Sequence, residues 1–283
     1  MDKTFARRMS ALTTEFYERV STSFSATRQA PWFGWRTLLE TVLLSNHGST
    51  LASEFVATSS TRADVGFGAT PVLGDRSLRV LDVACGNLRF ERFLHDQGFA
   101  AETWAIDNCD ELVGQVPSGV HFRSLDIAEA LLEDELLIWK EEGLQGFARG
   151  GASRWSETPL NDVPSCDLSV SFGFMHHLPL FEQRARLLKL LADHAVPGGF
   201  VAVTFWQFAN DERLKAKAHH APGGGTDDYL LGWQNEADVW RFCHHTTEDE
   251  IDELAATVAH VAPEVMRFTA DRCNRYLVLQ VGA

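Results

Sequence analysis

Residues 80–90 read Val-Leu-Asp-Val-Ala-Cys-Gly-Asn-Leu-Arg-Phe. A β-prone run carries Asp82, a turn of small residues follows, and a helical run resumes through Glu91, Arg92, Phe93 and Leu94. A strand that stops in such a turn and restarts as a helix leaves a crevice at its carboxyl end, where open α/β sheets bind nucleotide-like ligands. Asp107 ends the next strand-like run, about 20 residues beyond Gly86. A carboxylate there offers two acceptor oxygens to the vicinal hydroxyls of a ribose. Two adjacent histidines, His176 and His177, follow a further strand-like run, and His244 lies later in the chain. An imidazole can take the proton of a phenol, amine or hydroxyl nucleophile. A nicotinamide dehydrogenase is the weaker reading. Its turn needs Gly-x-Gly-x-x-Gly so that backbone can approach a pyrophosphate, and this turn has one glycine.

The elements that must position these residues follow from hydrophobic spacing. Phe5, Met9, Leu12, Phe16 and Val20 recur at three- and four-residue steps and predict a helix over 4–20. Residues 21–35 begin rich in Ser and Thr and turn aromatic, with Pro31 interrupting them, and 35–44 predict a second helix. Residues 57–77, rich in Ser, Thr and Gly, read as a surface loop. From Leu78 strand and helix alternate. Strands are expected over 79–83, 103–106, 120–124, 168–172 and 200–205, and helices over 88–97 and 181–194. Gly98 is a C-cap, and Pro197-Gly198-Gly199 a turn into the strand at 200. Thr247, three residues before Glu250, resembles a capping box opening a helix over 247–259. Strands over 265–269 and 276–281 close the chain. The alternation implies a parallel sheet with right-handed crossovers, and the final pair, with no helix between, one antiparallel edge strand. Interruptions at 128–164 and 207–245 are long enough to be functional or disordered.

With 283 residues the chain can bury a full core. A formal charge of −14 argues against broad nonspecific nucleic-acid binding, which depends on Lys and Arg at phosphates. Residues 1–40 differ, with six Lys or Arg against four acids. Acidic stretches at 126–142 and 248–253 read as solvated helical faces. The five cysteines, Cys85, Cys109, Cys166, Cys243 and Cys273, include no Cys-x-x-Cys pair. No metal site is therefore expected, and this usage suits a reducing cytoplasm. With no run of about 18 apolar residues and no apolar signal core at the N-terminus, neither a membrane span nor secretion is expected.

The 82–88 turn resembles the first motif of class I S-adenosylmethionine-dependent methyltransferases, acidic-x-Gly-x-Gly-x-Gly. Asp82 and Gly86 match it, while Ala84 and Leu88 replace two glycines. The resemblance implies an α/β, Rossmann-like fold: a mostly parallel seven-stranded sheet with an antiparallel edge strand and helices on both faces. The implied cofactor is S-adenosyl-L-methionine, which carries no phosphate. Asp82, Ala84, Cys85, Gly86 and Asn87 would hold it from the turn, with Asp107 and Asn108 at the ribose. Asp126 would meet the adenine amino group, with Ile127 packed on the ring. Residues 171–179, Ser-Phe-Gly-Phe-Met-His-His-Leu-Pro, resemble the fourth motif of the same family. Phe172 and Gly173 would line the methyl-transfer site there, with His176 and His177 near the substrate as candidate catalytic groups.

Three further segments resemble the eukaryotic tRNA wobble-uridine carboxymethyl methyltransferases. They are Phe16-Tyr17-Glu18-Arg19 with 24–32 (Phe-Ser-Ala-Thr-Arg-Gln-Ala-Pro-Trp), 227–233 (Asp-Asp-Tyr-Leu-Leu-Gly-Trp) and 241–245 (Arg-Phe-Cys-His-His). The narrower resemblance implies that Arg28 meets the cofactor's carboxylate or an anionic substrate, and that Trp32, Trp233 and His244 face the substrate. It also implies a tRNA substrate and a small zinc-binding activator subunit as partner. The departures are Ala84, Leu88, Gly232 in place of a proline, and the 128–164 insertion.

One domain is expected over 1–283: a helical extension (1–56), a cofactor-binding core (78–206), a substrate-side insertion (207–246), and a closing helix and strands (247–283). The reaction implied is in-line displacement at the sulfonium, in which the protein aligns the groups and excludes water. A carboxylate nucleophile needs no general base. Two rival readings stay open: a small-molecule O- or N-methyltransferase, and a non-catalytic subunit that keeps the fold.

Overall fold

The structure is a computed structural model that describes residues 2–46, 77–133, 160, 163–234, 236 and 238–282. Most of the loop expected over 57–77, and the greater part of the 128–164 insertion, lie outside the described residues.

Helix α1 (Lys3–Ala26) opens where the Asp2 side chain accepts from Phe5 N–H. Its apolar stripe, Phe5, Met9, Phe16 and Val20, is buried, as its spacing requires. The helix runs past the expected end at 20. Helix α2 (Phe33–Asn46) begins with Phe33 and Gly34 N–H donating to the Asp271 carboxylate at 2.7 and 3.0 Å. Its cap thus comes from a distant loop.

The main sheet comprises β1 (Leu78–Val83), β2 (Ala101–Asp107), β3 (Val120–Ser124), β4 (Cys166–Ser171), β5 (Ala195–Trp206), β9 (Glu264–Ala270) and β10 (Asn274–Gln280). Their order is β3-β2-β1-β4-β5-β10-β9. The first five pair in parallel. Strand β10 runs antiparallel to both β5 and β9, and β9 lies outside it at that margin. The Pro197-Gly198-Gly199 segment is part of β5, with Gly198 at φ 79° and a register shift against β4.

Alternation along each strand divides the core into two layers. Leu81 and Val83 of β1 with Val201, Val203 and Phe205 of β5 pack under α5 (Ile127–Glu133), α6 (Phe181–His194) and α8 (Glu248–Val258). Leu78 and Val80 with Phe200 and Ala202 pack under α2 and α3 (Arg89–Asp96) on the other face. Thr247 caps α8, its hydroxyl accepting from Glu250 N–H at 3.2 Å. Helix α4 (Asp110–Val113) follows β2, and no described helix is long and apolar enough to cross a membrane.

The 207–246 segment forms a 3-10 turn at Phe208–Asn210, the short α7 (Glu212–Lys215) and a second, antiparallel sheet, β6 (His219–His220), β7 (Asp228–Gly232) and β8 (Trp240–His244). This sheet packs on α1, with Phe5 edge-on to Phe242 and the Thr13 hydroxyl accepting from Phe242 N–H at 3.1 Å. Together α1 and the small sheet roof the carboxyl ends of the main strands.

Candidate active site

Beneath that roof lies a cleft of about 1170 Å³. The floor is the β1–α3 turn. Ala84 N–H and Cys85 N–H both donate to the Ile106 carbonyl, at 2.7 and 3.0 Å. Gly86 N–H donates to Asp107 Oδ2 at 2.8 Å, and Cys109 N–H to Asp107 Oδ1 at 3.0 Å. Asp107 therefore ties the turn to the end of β2. Each of its oxygens keeps a further lone pair.

Ala84 and Leu88, which stand where the motif has glycine, both adopt left-handed backbone, φ 64° and 56°. The turn thus takes left-handed backbone at both positions without glycine. Leu88 recovers its strain by full burial against Cys85, Ala105 and Val113. Ala84 has only a methyl to bury, and left-handed backbone costs an L-residue roughly 1–2 kcal/mol. Ala84→Gly is expected to raise stability by about 0.5–1 kcal/mol, because glycine's greater unfolded entropy offsets part of the relief. A denaturant midpoint that falls instead would show that the strain is absent.

The turn is sewn to α1 from above. Asn87 Nδ2 donates to Ser25 Oγ and to the Arg28 carbonyl, both at 3.1 Å, and Asn108 Nδ2 to Thr14 Oγ1 at 3.2 Å. Arg89 lies over Trp32 and Trp35 and donates to the Ala30 carbonyl at 3.2 Å. Gly173, φ 74°, donates its N–H to Thr204 Oγ1 at 2.8 Å, and a Cβ there would touch Trp32 at 3.4 Å. Trp32 leans edge-on to Phe172.

One wall of the cleft is acidic. Asp82 is buried with Oδ1 unpartnered. Behind it Glu91, on α3, is equally buried, with neither oxygen hydrogen-bonded. Burial, and then Glu91's charge, push Asp82 well above the usual carboxyl range. Burial likewise pushes Glu91 up to about 7. Burial thus favours the protonated form of both carboxyls. Burial raises Asp107 as well, opposed by its backbone hydrogen bonds. Asp126 caps α5, its Oδ1 accepting from Glu129 N–H at 3.0 Å, and Ile127 joins the core beneath.

The opposite wall is aromatic and cationic. Tyr17, Phe24, Arg28, Trp206, Trp233 and Arg241 line it. Trp233 is held by Nε1–H donating to Ser23 Oγ at 3.1 Å. Between the walls lie the two histidines. His177 Nδ1 is 2.7 Å from the Phe242 carbonyl, which can only accept, so Nδ1 carries the proton and Nε2 accepts from Tyr17 OH at 2.9 Å. Burial, reinforced by Arg241, lowers His177 to about 3. Burial and then His177 lower His176 well below the usual imidazole range. Burial pushes the Tyr17 phenol up to about 12. All three are neutral at physiological pH.

Of the residues expected from sequence, Arg28, Trp32, Asp82, Ala84, Cys85, Gly86, Asn87, Asp107, Asn108, Asp126, Ile127, Phe172, Gly173, His176, His177 and Trp233 all line this one cleft. His244 does not. Its Nδ1 meets Asp228 at 2.8 Å and its Nε2 meets Glu250 at 2.7 Å, with Glu250 also paired to Arg184. Burial alone would lower His244, but these two carboxylates raise it on balance. It is the centre of a buried ion network tying β7, β8 and α8. Successive strand residues face opposite sides, so Arg241 and His244, three apart on β8, cannot both face the cleft. Arg241, rather than His244, is the member of that segment that lines the cleft. Tyr17 and Arg241, both within the quoted signatures, are the functional candidates that sequence reasoning passed over, and strand parity was the available signal for Arg241.

His176, His177 and Cys243 also place ligand atoms within 4.8 Å of one another, a metal-like grouping the sequence did not suggest. Both ring nitrogens of His177 are engaged, and Arg241 acts on the Cys243 thiol, which burial pushes up to about 11. A neighbouring guanidinium opposes a cation there.

No family model matches the sequence. The crystal structure of an S-adenosylmethionine-dependent methyltransferase from Methanosarcina mazei superposes with a TM-score of 0.50 at 15% identity, over 73% of this chain and 93% of that one. The fold is that of the class I methyltransferases. An Encephalitozoon cuniculi (strain GB-M1) protein, named as a putative methyltransferase, is 31% identical over 120 residues. That is 42% of this chain and 52% of the other, so the chain spans about half the length of the curated relative it matches. The N-methyltransferase NodS of Bradyrhizobium japonicum WM9, solved with S-adenosyl-L-homocysteine, superposes with a TM-score of 0.48 at 12% identity, over 96% of this chain and 99% of that one. Within the methyltransferase fold the cleft occupies the carboxyl ends of β1, β2 and β4, where such sheets bind ligands.

Proposed function

We propose that this chain binds S-adenosylmethionine and catalyses methyl transfer to an oxygen or nitrogen nucleophile. The observation that carries the reading is Asp107, which accepts from Gly86 N–H of the turn with one oxygen and from Cys109 N–H with the other, lines the cleft and keeps a further lone pair on each oxygen for a ribose diol. The residues fit the cofactor. Its ammonium and sulfonium are cations, and the wall beside the turn carries Asp82, whose buried Oδ1 has no partner. When bound, the cofactor supplies an activated methyl group on a positive sulfur. Asp82 holds the ammonium side, Asp107 the ribose, and Asp126 with Ile127 the base. Trp32, Phe172 and Gly173 close the cleft over them and exclude water.

His176 and His177 act by position. Their lowered basicity makes them weak proton acceptors, so they suit an acceptor that arrives with a lone pair already free. The tRNA wobble-uridine reading is a second one, favoured by one observation. Tyr17, Phe24, Arg28, Trp32, Trp233 and Arg241 come from the three signature segments quoted above, and all lie on the same cleft. A small activator subunit belongs to that second reading, whereas the −14 charge favours a small-molecule acceptor.

Calorimetric titration with S-adenosylmethionine and S-adenosylhomocysteine tests the proposal. Dissociation constants on the order of micromolar are expected for both, about −8 kcal/mol. Absence of binding by the folded chain overturns the enzyme reading in favour of a non-catalytic subunit.

A further inference from the structure

We propose that Glu91 is a positioning residue for the cofactor: it takes the proton held between its own carboxyl and that of Asp82, so that Asp82 meets the cofactor's ammonium as a carboxylate and binding expels a second proton to solvent. The inference deepens the function proposed above and rests on it.

Asp82 lines the cleft, and Glu91 stands behind it. Asp82 is 2% exposed near the end of β1, and Glu91, 5% exposed, comes from the first turn of α3. Their carboxyls are in side-chain hydrogen-bond contact. Two carboxylates can only accept, so a hydrogen bond between them requires a proton. Outside the pair, no described residue donates to Asp82 Oδ1 or to either Glu91 oxygen. The α2 and β4 side chains on this face of the sheet, among them Trp35, Leu38, Leu168 and Val170, are apolar. The charged and titratable groups that act on the pair are Asp107 on β2, the Cys85 thiol in the turn and Arg92 on α3. Asp107 adds negative charge beside Asp82. Burial, and then Asp107, keep Cys85 a neutral thiol. Arg92 favours a charged Glu91.

Such a pair titrates as one unit with three states. With both protons in place, Asp82 offers a ligand no charge. With one proton, the negative charge can sit on either carboxyl, and a cation in the cleft draws it to Asp82, the member that lines the wall. The remaining proton is then held by Glu91, out of the ligand's reach. In the doubly protonated pair one O–H bond breaks on binding, its electron pair stays with Asp82, and its proton passes to the buffer. Burial raises Glu91 to about 7 and Asp82 well above the usual carboxyl range, so the doubly protonated pair prevails below about pH 7. Binding selects the form with fewer protons. Affinity therefore rises with pH and levels off above that point.

The test is calorimetric titration of the intact chain with S-adenosylhomocysteine, which keeps the ammonium, in buffers of different ionisation enthalpy so that released protons are counted. The wild-type protein is expected to release about one proton per ligand at about pH 6, and to bind about tenfold more weakly there than at about pH 7.5. Glu91→Gln still donates to Asp82 but has no proton to give up. It is expected to release almost none and to bind within about twofold across this range. Asp107→Asn, weaker throughout, is expected to release as many protons as wild type. Binding by the wild-type protein that is independent of pH and releases no proton overturns the proposal whether or not the variants fold. So does a folded Glu91→Gln that releases as many protons as wild type, or an Asp107→Asn that releases none, which assigns the proton to Asp107. Failure of S-adenosylhomocysteine to bind at any pH is a separate outcome, which sinks the parent reading.

Discussion

Asp107→Ala is expected to weaken S-adenosylmethionine binding by about 100-fold or more and to leave the chain folded. A carboxylate hydrogen bond contributes roughly 1.5–3 kcal/mol, and two ribose hydroxyls facing one carboxylate put about 3 kcal/mol or more on this side chain. The same substitution frees Gly86 and Cys109 N–H, which Asp107 accepts at 2.8 and 3.0 Å. Both groups sit beside the cleft and can turn to water, so the stability cost is about 1 kcal/mol each. Asp107→Asn keeps one acceptor oxygen and should fall between. The measurement is calorimetric titration with S-adenosylmethionine, with circular dichroism to verify folding. An alanine variant that binds within about threefold of wild type would remove the ribose assignment.

Glu91→Gln is expected to stabilise the protein at pH 8 by on the order of 2 kcal/mol, with the advantage gone by about pH 5. Glu91 and Asp82 are both buried, and neither Glu91 oxygen has a hydrogen-bond donor. Burial raises Glu91 to about 7 and raises Asp82 as well. An acid whose pKa is raised on folding contributes stability that is fully present below its unfolded pKa and is lost as pH rises through its folded pKa. The wild-type loss therefore falls between about pH 4.5 and 7. Glutamine does not titrate, and its amide offers Asp82 the donor the pair lacks. Urea unfolding across this pH range checks the prediction, and a variant as pH-dependent as wild type would show that the pair is not the source.

Much of this arrangement can be read from the chain alone because it is local. The strand–turn–helix at 80–94 follows from a β-prone run, a small-residue turn and a helical run within fifteen or so residues. Asp107 is found by its distance from that turn, and the Thr247 cap by its spacing to Glu250. In each case the interacting groups are neighbours in sequence, so residue type and spacing constrain the geometry. At Ala84 and Leu88, the two departures from the motif's glycines, the backbone takes φ of 64° and 56°, held from outside by the hydrogen bonds to the Ile106 carbonyl and Asp107.

What the tertiary structure alone decided are meetings between distant segments. The sequence predicts a last strand over 276–281, but only pairing shows that it spans 274–280, lies between β5 and β9 and runs against both. Glu91 sits in a helix of charged and aromatic residues, where nothing local says that it turns inward to Asp82. Arg241 and His244 share one short strand, and their opposite fates depend on which face of β8 meets the cleft. His244 goes to the Asp228–Glu250 network. Arg241 goes to a wall built from α1, β5 and the β7–β8 connection, with its charge facing Arg28. Sequence thus determined the fold and the acidic half of the cleft, where partners are a strand and a turn apart. The cationic half exists only once α1 and the second sheet close over the strand ends, because its members are held by long-range packing rather than by spacing.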